Sequence, residues 1–188
     1  MSDTAADRFR TAAERFSTLV GGTTDWSAPT PVDQWRARDV VEHLTTWLPG
    51  MLAGCGVALD PGPSAQDDPA AAWEHVRGQV HFLLDDPGRA GQEVTQEHLG
   101  TLPLERLVDT YYTPDVVMHS WDLARSSGQD DTIDPAFVRD AHAGMLSMEP
   151  MIRGSGQYGE QQPEPEGASE QERFLAFIGR DPRWSSPT

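Results

Sequence analysis

Apolar residues recur at helical spacing in five stretches of the chain, and Gly and Pro punctuate every gap between them, which limits the architecture to an all-α bundle. Over residues 3–20 the apolar set is Phe9, Ala12, Ala13, Phe16, Leu19 and Val20, closed by Gly21 and Gly22. Residues 38–54 carry Val40, Val41, Leu44, Trp47, Leu48 and Leu52, with Pro49 as a kink point and Gly54 and Gly56 as the stop. Further helices are predicted at 68–85, at 103–126 and at 134–148. Pro103 suits the first turn of the fourth, and Pro114 should kink or split it. Asp134 and Pro135 read as cap and first-turn residue of the fifth. A short last helix follows at 169–178, where Ser169 and Glu172 have capping-box spacing. Residues 23–37, 59–68, 88–102 and 149–168 are expected as loops, with only a weak strand-like patch near Val94.

Composition narrows the function. A length of 188 residues argues for one domain, residues 1–188, around one core. Hydrophobic residues make up 37%, with six Trp and six Phe as bulky core material, and no stretch approaches the ~18 consecutive apolar residues of a membrane span. The start, MSDTAADRFRTAAERF, has no apolar signal region, so a cytoplasmic protein is expected. A net charge of −16 disfavours nucleic acid and anionic lipid as partners and leaves a small-molecule substrate, with a homodimer open. All 14 basic residues are Arg, so Schiff-base chemistry and a P-loop Lys are excluded. Cys55 is the single cysteine, which rules out intramolecular disulfides and Cys-based zinc sites and fits a buried or helix-end residue.

Chemistry concentrates in TPDVVMHSWDLARSSG. Asp115 and His119 are four residues apart on one helical face, and Asp122 lies three beyond His119 on nearly the same face. Such a pair can share a metal ion, provided that another helix supplies a third ligand; His43, midway along the second helix, is the natural candidate. The same pair also fits a hydrogen-bonded core histidine. Asp122 is expected to orient a ligating imidazole or to pair with an Arg. Asp39 reads either as a second supporting carboxylate or as a helix-start residue favoured by the dipole.

Three segments resemble a known family. WSAPTPVDQWRARDVVEHL, residues 26–44, is similar to the second-helix entry of the mycothiol-dependent maleylpyruvate isomerase N-terminal family, within the DinB-like superfamily of four-helix-bundle metal proteins. DVVMHSWDLA, from Asp115, resembles its metal-binding helix, and SEQERFLAFIGRDPRW resembles the C-terminal signature of a small metal-binding branch. The resemblance implies a DinB-like bundle with additional short C-terminal helices, and His43, Asp115 and His119 as ligands, with Asp115 where many relatives have Glu. It also implies a divalent metal, zinc first and nickel or iron as alternatives, that activates mycothiol or a similar thiol cosubstrate for transfer or isomerisation. The isomerase itself carries a second domain that this sequence does not show, which counts against that particular reaction. A metal-dependent hydrolase or cyclising enzyme, and a non-catalytic metal-binding module, are the alternatives.

Other residues carry less. Trp121 reads as core, and Arg180 as a partner for an acidic group that locks the C-terminal segment onto the bundle. His75, His81 and His142 lack partners at ligand spacing, while His98 sits in a loop that could reach the open end of the bundle.

Overall fold

The computed structural model describes residues 3–97, 99–156 and 158–186. The first helix, α1 (Ala5–Gly22), opens on a capping box between Thr4 and Asp7. Next come α2 (Ala37–Gly54), which runs through Pro49 without interruption, and α3 (Pro69–Leu84), capped by the Asp68 side chain with Pro69 in its first turn. A single turn, α4 (Pro87–Ala90), leads into two four-residue strands, β1 (Glu93–Gln96) and β2 (Gly100–Pro103). The fourth long strut is composite: α5 (Leu104–Leu107), a π-helical turn (Val108–Tyr112) and α6 (Thr113–Ser127). After it stand α7 (Pro135–Ser147), α8 (Glu149–Ser155) and α9 (Glu170–Phe177), the last opened by the Ser169–Glu172 capping box.

Helices α1 and α2 each pack on both α3 and α6, which closes a four-helix ring, and the all-α bundle expected from the periodicity is the fold observed. Pro114 does not split the fourth helix. The Thr113 N–H reaches back five residues to the Val108 carbonyl, a widened turn that accommodates a proline with no N–H to donate and a ring that would clash with the carbonyl one α-turn back.

Two expected loops are corrected. Within residues 88–102, Val94 pairs with Leu102 and Thr95 with Thr101 in an antiparallel hairpin that starts around Val94, buried at 1% exposure. Tertiary burial of one side chain decides what four residues of weak strand pattern could not. The first seven residues of 149–168 form α8.

The main core fills the ring, with the Phe16 ring edge-on to Trp73 at 4.6 Å. A second core, built by Met118, Trp121, Ile133, Val138, Phe174 and Phe177, lies on the other side of α6 under α7 and α9. Helix α6 is therefore covered nearly all round, which is why it can hold polar side chains out of water.

Candidate metal centre

Helix α2 carries His43 on the face turned to α6, and the Tyr112 hydroxyl, at the end of the π turn that leads into α6, pins the strut to α2 by donating to the Leu44 carbonyl at 2.9 Å. Across that seam, His43 Nε2 lies 3.0 Å from Asp115 Oδ2, and His119 Nε2 lies 3.5 Å from Asp115 Oδ1. One ligand atom from each of the three residues falls within 4.8 Å of the others. Donor atoms around a tetrahedral ion, with bonds of about 2.0–2.1 Å, stand roughly 3.4 Å apart, so an ion fits with small adjustments.

Hydrogen bonding tests that fit. Asp122, fully buried, accepts from His119 Nδ1 at 2.9 Å, because an ionised carboxylate can only accept. With Nδ1 so engaged, a neutral His119 turns the lone pair of Nε2 toward a carboxylate oxygen of Asp115. Two acceptors that face each other at this distance require a cation between them, either a proton or a metal ion. The His₂-carboxylate donor set suits zinc, nickel or iron.

Two tryptophans complete the surroundings. Trp47, one turn after His43, donates its indole N–H to Asp115 Oδ2 at 2.9 Å and so fixes the carboxylate. Trp35 stacks over His119 with ring centres 5.5 Å apart and lies 5.2 Å from the His43 ring. Its place depends on Gln34, the sole non-glycine residue at positive φ (64°) among the described residues.

The electrostatics favour ionised carboxylates. Burial pushes the Asp115 carboxyl up, but His119, His43 and the Trp47 N–H outweigh it and hold it below the usual range. Burial opposes ionisation of Asp122 as well, and there Arg180 and His119 reverse the balance. The Arg180 guanidinium forks onto Asp122, Nε to Oδ1 and Nη2 to Oδ2, both at 2.9 Å. Tyr158 lies near enough for the Asp115 charge, after burial, to push its hydroxyl up.

The other residues singled out in the sequence fall elsewhere. Asp39 is not brought to the centre: it accepts from the Arg36 N–H at 2.7 Å as the capping carboxylate of α2, and from Gln66 at 3.2 Å. Trp121 is buried in the second core. His75 bonds the Asp60 carbonyl, His81 packs on Phe9, His142 packs on Phe174 and Phe177, and His98 lies outside the described residues. Sequence reasoning missed Trp47 as an Asp115 partner, although its step of four from His43 was the available signal. Nothing in the local sequence marks Tyr158, which arrives from a connection far along the chain.

Comparison with known proteins adds a lineage. The profile of the family described as mycothiol maleylpyruvate isomerase N-terminal domain matches residues 9–124, a span that holds all three clustered residues and Asp122. Two uncharacterized proteins of Mycobacterium tuberculosis, MT0763 of strain CDC 1551 / Oshkosh and Rv0738 of strain ATCC 25618 / H37Rv, are each 28% identical over 158 residues, which cover 82% of this chain and 85% of theirs. No solved structure matches the chain significantly. No helix among the described residues is long and apolar enough to cross a membrane.

Proposed function

The chain belongs to the mycothiol maleylpyruvate isomerase N-terminal domain family, and on that premise we propose that it is a cytoplasmic enzyme that holds one divalent metal ion at His43, Asp115 and His119 and uses a low-molecular-weight thiol such as mycothiol as cosubstrate. The reading rests on one observation above all: His119 Nε2 faces a carboxylate oxygen of Asp115 at 3.5 Å, with His43 Nε2 beside them. When bound there, the ion would supply Lewis acidity, stabilising a thiolate or polarising a carbonyl. Zinc is the first choice, with nickel and iron compatible.

The chain's own residues prepare the site. Trp47 holds Asp115 in one orientation, and Asp122 fixes the tautomer of His119. Trp35 covers the imidazoles on one side and keeps water from that face. Asp115, Asp122 and Arg180 carry one net negative charge together; beside a divalent cation, one positive charge is left for a monoanionic thiolate to neutralise. The thiol comes from outside, since Cys55 caps the far end of α2, about 18 Å along the helix from His43 at 1.5 Å per residue.

Elemental analysis of the purified protein should find about one divalent ion per chain, and His119→Ala should abolish stoichiometric binding. A screen of small thiols against electrophilic substrates should then give metal-dependent conjugation or isomerisation. Full occupancy in the variant would remove the ligand assignment. A metal-loaded protein that ignores thiols and hydrolyses or cyclises a small molecule would replace the thiol chemistry.

A further inference from the structure

Asp122 is fully buried, yet its carboxylate is reached from 58 residues further along the chain. Arg180 stands just past the end of α9, where Gly179 adopts φ +88° and the Arg180 N–H closes onto the Leu175 carbonyl at 2.9 Å. The turn is tight as well as left-handed: a Cβ on Gly179 would fall 2.6 Å from the Gly159 Cα. The segment beyond is tied down again, because the Arg125 guanidinium on α6 donates to the Trp184 carbonyl. The fold thus delivers the guanidinium of a side chain only 15% exposed to one point on α6.

That point adjoins the metal cluster. Both Asp122 oxygens are taken by the planar fork of Arg180, and Oδ2 also accepts from His119 Nδ1, each contact at 2.9 Å. A carboxylate held at both oxygens cannot rotate, so the imidazole bonded to it keeps one plane and presents Nε2 in one direction. Arg180 lies beyond the residues that the family profile matches, which end at position 124.

We propose that Arg180 is a positioning residue for the metal centre, aiming the Nε2 of His119 by clamping Asp122, so that the C-terminal segment completes a site whose ligands all lie in the bundle. This rests on the reading of His43, Asp115 and His119 as the ligands. A purely architectural ion pair would need only a charge at position 180; positioning needs the two-pronged geometry that Lys lacks.

The test is titration of the full-length, metal-free chain with zinc alone, paired with melting of the same metal-free samples and with the absorption spectrum of the cobalt-loaded protein. Arg180→Gln and Arg180→Lys should each weaken zinc binding about 10–100-fold, the range for loss of a group that orients a ligand, and shift the cobalt bands. Asp122→Asn should do the same, and the Asp122→Asn/Arg180→Gln double variant should bind no more weakly than Asp122→Asn alone, because both act through one contact. Arg180→Lys variants that melt earlier but bind zinc with wild-type affinity and spectrum would overturn the proposal and leave the ligand assignment standing. A wild-type chain that binds no divalent ion would overturn both.

Discussion

Changing Asp115 to Asn keeps the shape of the side chain and its bond from Trp47 but removes the charge that faces both imidazoles. Metal affinity should fall by more than the hundredfold ceiling expected for Asp122→Asn, because Asp115 offers an oxygen inside the cluster whereas Asp122 acts through His119. Zinc titration of the two variants checks the order, and the reverse order would make Asp122 the ligand. The same two carboxylates differ in what they do for stability. Asp122, held below the usual carboxyl range despite burial, stabilises the fold above the unfolded Asp pKa of about 3.9, and that contribution is lost as pH falls through its lower folded value. Urea melts should therefore show wild type ahead of Asp122→Ala by about 3–5 kcal/mol near pH 7, the range for orphaning one half of a buried ion pair, with the gap narrowing below pH ~4. At this scale the sequence was legible where partners share a helix. Asp115, His119 and Asp122 are readable from spacings of four and three, and Asp122 and Arg180 were each expected to take an opposite charge, but that they take each other, 58 residues apart, and that Trp47 bonds Asp115 across 68, is encoded by no periodicity.

Helix ends were readable because caps are local chemistry: Ser169 accepts from the Glu172 N–H at 3.2 Å, and the Glu172 side chain accepts from the Ser169 N–H at 2.8 Å. Ser169→Ala should cost about 1 kcal/mol in chemical denaturation, and because α9 carries the turn to Arg180, it should also loosen metal binding slightly. The hairpin at Val94 and the helix at 149–155 were not readable, since each depends on what it packs against more than on its own pattern. The π turn is a different case, because its cause, Pro114, is visible in the sequence while its remedy is not. One extra residue in the turn spares the helix a proline clash, and Tyr111, exposed like its neighbour Thr110, is a residue of the turn that lies outside the core. Deleting Tyr111 should force Pro114 into α geometry and cost about 3 kcal/mol. Adding Pro114→Ala should restore a good part of that loss; if the double change melts no later than the deletion alone, the proline does not account for the π turn.

At the scale of the molecule, α6 is shared by two cores, and the candidate metal cluster sits where it meets α2. The helical periodicity announced the ring but not the second core, because α7 contributes one fully buried side chain, Val138, and α9 runs for eight residues. The net charge of −16 on a chain with 14 cations works against compactness, and a divalent ion would relieve it at the seam where carboxylates are held ionised. Two of the three cluster residues come from α6 and one from α2, so an ion held there cross-links helices that are independent in the unfolded chain. Such linkage stabilises the fold by RT ln(1 + [L]/Kd), about 2.7 kcal/mol at a free metal concentration a hundred times Kd. For a chain of this length a kilocalorie moves the midpoint by about 2–4 °C, so saturating zinc should raise Tm by roughly 5–11 °C, reversibly with chelator. His119→Ala and His43→Ala should lose that zinc response while their metal-free forms still show the helical signature of the bundle. Equal zinc-induced shifts in the variants would mean that the ion binds elsewhere, on the acidic surface, and that the facing Nε2 and carboxylate at the heart of the seam are satisfied by a proton instead.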